Sequence, residues 1–134
     1  MSGLGSRFDG KVAIVTGAAG GIGAVYASAL AEQGASVLFA DLNDEAGQLR
    51  VKEITEAGGR AAYVHTDVSS PDQTRAMADA AVAEFGGIDY LVNNAAIYGG
   101  MKIDVLVNVD WDYYKKFMAV NLDAMAPEPT IDGK

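Results

Sequence analysis

Three glycines, Gly17, Gly21 and Gly23, follow the apolar run Val12-Ala13-Ile14-Val15 and its terminal Thr16, and an alanine-rich helical pattern opens at Ile22. A buried strand, a glycine-dense turn and a helix start, in that order, support anion binding. The first N–H groups of a helix have no partner inside it, and the helix dipole adds partial positive charge at that end. Glycine lets the backbone turn sharply and lets a pyrophosphate approach without meeting a Cβ. The spacing is G-x-x-x-G-x-G, which differs from the G-x-G-x-x-G of the commonest dinucleotide fingerprint. On its own it marks a turn, and the residues downstream of Gly23 decide its meaning.

Asp41 lies at the end of the next apolar run, close to the distance of about 20 residues at which an acidic side chain accepts hydrogen bonds from the adenosine ribose hydroxyls. A carboxylate there repels the 2′-phosphate of NADP. No Arg or Lys lies in the glycine loop or directly after Asp41 to offset it, so the expected cofactor is NAD in preference to NADP. The alternative role for Asp41, capping the following helix, is one that Asn43 also fits.

The elements that position these residues alternate along the chain. Strands are expected at Lys11 to Thr16, Ala35 to Asp41, Arg60 to Thr66 and Ile88 to Asn93. The first is short and apolar on both faces, as in a parallel sheet. Helices are expected at Ile22 to Gln33, Asn43 to Ala57, Ser70 to Phe85 and Asp110 to about Ala126. Asn43 and Ser70 are N-cap residues, Pro71 suits a first helical position, Gln73 completes a capping box, and Gly34, Gly58-Gly59 and Gly86-Gly87 end helices. Asn94 to Val109 reads as a long loop. Pro127 and Pro129 stop the last helix, so the expected organisation is one domain over residues 1–126 and an irregular tail over 127–134.

A β-α-β-α-β-α-β-α order gives helices packed on a parallel sheet, and right-handed crossovers restrict the topology. The expected fold is α/β, a Rossmann-type doubly wound sheet of strand order 3-2-1-4. The glycine loop, Asp41, Asp67 and Asn93 then share the carboxyl edge, where the strand order reverses and ligands bind.

Composition bounds the alternatives. The net charge of −8 argues against nucleic acid, whose phosphates require a basic face. With no cysteine, thiol and disulfide chemistry is excluded, and the single histidine, His65, has no ligand-spaced partners. No apolar run approaches the roughly 18 residues of a membrane span, and the polar lead-in has no signal-peptide pattern, so a cytoplasmic location is expected.

Thr16-Gly17-Ala18-Ala19-Gly20-Gly21-Ile22-Gly23, Asp41-Leu42, Asp67-Val68, Asn93-Asn94-Ala95-Ala96 and Val120-Asn121-Leu122 together resemble the short-chain dehydrogenases/reductases in type, order and spacing. The resemblance covers about residues 7–126. It implies an NAD-dependent oxidoreductase that moves hydride between the nicotinamide and a small alcohol or carbonyl substrate. It implies that Gly17, Gly21, Ile22 and Gly23 line the dinucleotide phosphates. Asp41, with Leu42 beside it, would hold the adenine ribose, and Asp67 and the Val68 backbone the adenine. Asn93 and Ala95 would lie near the riboses, and Thr16 would tie the glycine turn to the Asn93-Asn94-Ala95 stretch. Ala96 stands where the family usually has glycine.

The family's chemistry uses a tyrosine general acid/base, a lysine four residues later that lowers its pKa, a preceding serine, and an asparagine in the proton relay. Asn121 matches the asparagine. No serine follows Ser70, and the one Y-x-x-x-K, Tyr98 to Lys102, falls in a glycine-broken loop that does not hold an i,i+4 pair. The chain therefore reads as the cofactor-binding half of a shortened member, itself without turnover. The alternatives are a non-catalytic nucleotide-binding module or an oligomerising fragment. A fourth strand apolar on both faces with no fifth beside it predicts self-association through that edge.

Overall fold

The computed structural model describes residues 7–96 and 111–121. The expected lead-in up to Ser6, the loop with Tyr98, Gly99, Gly100 and Lys102, the helical positions Asp110, Leu122 and Met125, and the tail from Pro127 lie outside the described residues. So do the side chains of Trp111, Tyr113, Tyr114, Phe117 and Asn121. The elements are β1 (Val12–Thr16), α1 (Gly21–Glu32), β2 (Ser36–Asp41), α2 (Asp44–Glu56), β3 (Arg60–His65), α3 (Pro71–Phe85), β4 (Tyr90–Val92) and α4 (Trp111–Asn121). They fall into two compact units, Met1–Ala95 and Ala96–Lys134. The second contributes α4, where Lys115 and Lys116 are exposed and Val120 is buried.

In the first unit the strands form one parallel sheet of order β3-β2-β1-β4. This is the Rossmann-type α/β arrangement expected from the alternation. β1 is at the centre, and all five of its residues are buried. Alternation splits them between two cores. Val15, with Val37 and Phe39, packs against Ala27 and Ala31 of α1 and Val51 and Ile54 of α2. Ile14, with Leu38 and Ala40, packs against Met77, Ala81 and Phe85 of α3. Full burial of a Val, Leu, Ile or Phe side chain contributes about 1.5–3 kcal/mol, so both helical layers are fixed by the same two strands.

The helix starts follow their sequence signals with one difference. Asn43 Oδ1 accepts from Ala46 N–H at 3.1 Å, and Ser70 Oγ accepts from Gln73 N–H at 3.3 Å. The reciprocal half of the expected capping box is absent, because Gln73 Oε1 accepts from Asp67 N–H at 2.8 Å and Ser70 N–H donates to the Asp67 carbonyl. Gln73 thus braces the end of the β3 connection as well as its own helix. β4 is shorter than Ile88 to Asn93. Asp89 brackets Val12 from below, its N–H donating to the Val12 carbonyl and its Oδ2 accepting from Val12 N–H. Above Val92, Asn94 and Ala95 turn their N–H groups to a side chain of β1. No described helix is long and apolar enough to cross a membrane.

Candidate dinucleotide site

Thr16 is the last residue of β1, and its Oγ1 is the hub of the carboxyl edge. The oxygen accepts from Asn94 N–H and Ala95 N–H, both at 3.1 Å, and lies 3.4 Å from the Val92 carbonyl oxygen as donor. One buried hydroxyl therefore joins the end of β1 to the segment leaving β4. Asn94 closes the link from the other side, its Nδ2 donating to the Gly17 carbonyl at 3.2 Å. In the sequence Asn94 stands out only as part of a motif. Its bond to Gly17 depends on β4 lying beside β1, as the expected strand order has it, but the sequence alone does not show where the Asn94 side chain turns.

The loop has no room for larger residues at two of the glycines. Gly17 has φ +66, in the left-handed region, and a Cβ there would lie 2.9 Å from the Ala95 Cα. A Cβ on Gly23 would run into the Gly17 carbonyl oxygen and Asn94 Nδ2. Gly23 is buried in the first turn of α1, so the helix presses directly on the loop backbone. At Gly20 and Gly21 the space a side chain would take is open. The N-cap of α1 is Gly20, which brings no side-chain cap, and the first turn holds no acidic residue. An uncapped helix start behind an open glycine turn fits a pyrophosphate, which brings the negative charge and acceptors that this end lacks. Ile22 is 67% exposed on the same turn.

Asp41 sits opposite, at the end of β2. Its Oδ2 accepts from Ala19 N–H and its Oδ1 from Asn43 N–H, each at 3.0 Å. A carboxylate has about four acceptor positions, so two remain for a ribose diol. The carboxylate both holds the glycine loop and orders the entry to α2. Leu42 beside it is 54% exposed. The Asp41 carbonyl accepts from Tyr63 Oη at 2.7 Å and from Thr66 N–H. Tyr63 Oη also meets Asp44 Oδ1 at 2.6 Å, and His65 Nδ1 lies 2.7 Å from that same oxygen. These bonds, with that to Tyr63 first, hold the Asp44 carboxyl below its usual 3.8. Burial and the bond to Asp44 push the Tyr63 hydroxyl up from 10.0, keeping it a neutral donor.

Asp67 lies just beyond β3. Its Oδ1 accepts from Ser69 N–H at 3.0 Å and Ser69 Oγ at 2.6 Å, shaping the turn that carries Val68 into α3. Thr16, Gly17, Gly21, Ile22, Gly23, Asp41, Leu42, Asp67, Val68, Asn93 and Ala95 all belong to the first unit, at the carboxyl ends of its parallel strands. Asn121 is the last residue of α4, in the second unit. No cluster of three or more His, Cys, Asp or Glu suited to a metal occurs among the described residues.

The sheet order and the flanking helices define a Rossmann-type α/β fold. Residues 11–126 match the family described as short chain dehydrogenase, and the chain belongs to that family, the short-chain dehydrogenases/reductases. It is 61% identical over 118 residues to an uncharacterized oxidoreductase of Mycobacterium tuberculosis, covering 88% of this chain and 48% of the relative. It is 40% identical over 119 residues to a 3-alpha-(or 20-beta)-hydroxysteroid dehydrogenase of the same species, covering 89% of this chain and 44% of that protein. Among solved structures, a short-chain type dehydrogenase/reductase from Mycobacterium marinum superposes with TM-score 0.81 at 36% identity, over 92% of this chain and 49% of that one. A blue fluorescent protein from a metagenomic library, in complex with NADPH, gives TM-score 0.80 at 34% identity, over 88% and 48%. The chain spans about half the length of the curated relatives it matches.

Proposed function

We propose that this chain binds a nicotinamide dinucleotide, with NAD preferred over NADP, as the cofactor-binding part of an oxidoreductase acting on a small alcohol or carbonyl substrate. The observation that carries the reading is the cradle formed by Thr16, Gly17, Gly23 and Asn94, with the uncapped start of α1 behind it. In this reading the α1 N-terminus and Gly21 receive the pyrophosphate, and the spare acceptor positions of Asp41 receive the adenosine ribose. Asp67 and Val68 flank the adenine, and Asn93 and Ala95 lie along the riboses. The bound cofactor supplies hydride. The chain's own residues bind and orient it, and Asn121 is the candidate for a proton relay. The NADPH held by the structural neighbour supports a nicotinamide cofactor here. The preference for NAD rests on Asp41.

Residues 1–126 act in this proposal as one dinucleotide-binding domain ahead of the 127–134 tail. The exposed Tyr90 and Leu91 of β4, whose one strand partner among the described residues is β1, support self-association. A cytoplasmic location, with neither membrane nor nucleic acid as partner, accords with the acidic composition. The 134 residues are expected to bind without turnover, because no serine follows Ser70 and the one Y-x-x-x-K is Tyr98 to Lys102.

Calorimetric titration with NADH and NADPH tests the proposal. Saturable binding that is tighter for NADH, together with no NADH production from an alcohol panel, is the expected result. Failure of both nucleotides to bind removes it. Binding with turnover removes only the statement about catalysis.

A further inference from the structure

The sequence places no cation next to Asp41, but the fold brings one from α2 to the glycine-loop residue that Asp41 holds. Arg50 Nε lies 3.5 Å from the carbonyl oxygen of Ala19, the residue whose N–H is held by Asp41. The carboxylate and the guanidinium therefore grip the two ends of one residue in the glycine loop. That arrangement keeps them within about 10 Å of each other, comparable to a Debye length at 0.1 M salt. The 3.5 Å contact is long for a hydrogen bond, and the Arg50 side chain is 40% exposed, so it can be re-aimed at modest cost. Its Nη1 meets Glu53 Oε2 at 3.2 Å. A guanidinium carries five N–H donors in a planar fork that matches phosphate geometry. Nη2 is the nitrogen that these two contacts do not use.

We infer that Arg50 is a second determinant of cofactor choice, acting against Asp41: its guanidinium draws in the 2′-phosphate that the Asp41 carboxylate repels, so NADP is disfavoured but not shut out. The inference rests on the proposed dinucleotide reading and deepens it at the adenosine end. Glu53 belongs to the same balance, because it competes for the guanidinium and adds a second negative charge. Asp44 lies further along, engaged with Tyr63 and His65. The preference is thus set by one cation between carboxylates that come from β2 and α2, and it depends on ionic strength.

The test measures dissociation constants for NADH and NADPH with the full 134-residue chain, its Arg50→Gln and Glu53→Gln variants, and the Asp41→Asn and Asp41→Asn/Arg50→Gln pair. Arg50→Gln is expected to weaken NADPH about five- to tenfold and leave NADH within about twofold, as for loss of one partly solvated charged hydrogen bond. Glu53→Gln is expected to tighten NADPH about twofold. Asp41→Asn is expected to gain NADPH affinity only while Arg50 is present. NADPH binding should also weaken more steeply with salt than NADH binding, and that difference should shrink in Arg50→Gln. If NADH binds and the NADPH-to-NADH ratio ignores Arg50, the role of Arg50 is overturned and the dinucleotide site stands. If Arg50→Gln weakens both nucleotides equally, Arg50 merely supports the loop and the inference is overturned. If the wild-type chain binds neither, the site reading fails and the inference falls with it.

Discussion

The starts of α2 and α3 are closed by the protein's own side chains, and the start of α1 is left open. Asn43 and Ser70 cap the first two, and Asp44, Glu45 and Asp72 put negative charge in their first turns. α1 has Gly20 as its N-cap, with neither a capping side chain nor an acid in its first turn. All three helices follow strands of one parallel sheet and present the same unsatisfied N–H groups and the same dipole. The difference is therefore one of supply: two helices carry their anion with them, and the third leaves the position open. A glycine N-cap gives up only about a few tenths of a kcal/mol relative to Asn or Ser, and beside a loop too tight for any side chain at Gly23 it leaves the start of α1 open to the proposed ligand.

The contrast can be broken most severely at Gly23. Gly23→Ala places a methyl against the Gly17 carbonyl and Asn94 Nδ2, and it is expected to cost about 3 kcal/mol of stability and weaken NADH more than about 100-fold. Urea denaturation and calorimetry measure the two effects, and wild-type binding would show that the loop is not the phosphate cradle. Next is Thr16→Val, which leaves the Asn94 and Ala95 N–H groups without their acceptor. Its expected cost is about 2 kcal/mol, and a urea midpoint close to wild type would mean that the hydroxyl is not the link between β1 and the β4 exit.

Gly20→Asp sharpens the comparison by giving α1 the cap its neighbours have. The backbone there is extended, φ −155, and a Cβ meets nothing within 4 Å. Stability is expected to hold or rise by a few tenths of a kcal/mol, while NADH weakens about tenfold because the carboxylate takes the pyrophosphate's place. Undiminished NADH affinity would put the phosphates elsewhere. The smallest effect is electrostatic. Tyr63 has its hydroxyl pKa raised above 10.0 in the folded chain, so its contribution is complete below about pH 10 and is lost as pH rises through the folded value. Tyr63→Phe should flatten the fall in urea midpoint above about pH 10, and an unaltered slope would show that another group causes it.

The order of elements, the strand order and the cap residues were legible because each is written locally. Val12-Ala13-Ile14-Val15 is apolar on both faces, Asn43 and Ser70 precede helical periodicity, and the right-handed crossover rule does the rest. What was not legible depends on where the chain returns in space. Gln73 fits the capping-box pattern at Ser70, yet its side chain is taken by Asp67 N–H, a competition that spacing does not reveal. Arg50 lies well along α2 from Asp41 and reaches the glycine loop only because α1 and α2 cover the same face of the sheet. Asn94 is hidden for the same reason. A strand-end asparagine becomes a loop clamp only when β4 is hydrogen-bonded to β1.

The bond between Val12 N–H and Asp89 spans 77 positions of sequence, and this separation bears on how the molecule is made. β2 reaches β1 through one helical crossover, but the other edge of β1 waits until Tyr90–Val92 exist. Closing so long a segment is slow compared with local pairing. A nascent chain that has emerged only as far as α3 holds the innermost strand as a bare edge, open to other chains at the stage when aggregation competes with folding. The acceptor on Thr16 and the carbonyl of Gly17 find Asn94 only after β4 has paired with β1. The proposed nucleotide cradle is therefore complete only once β4 has paired with β1, and synthesis of the glycine loop alone does not form it.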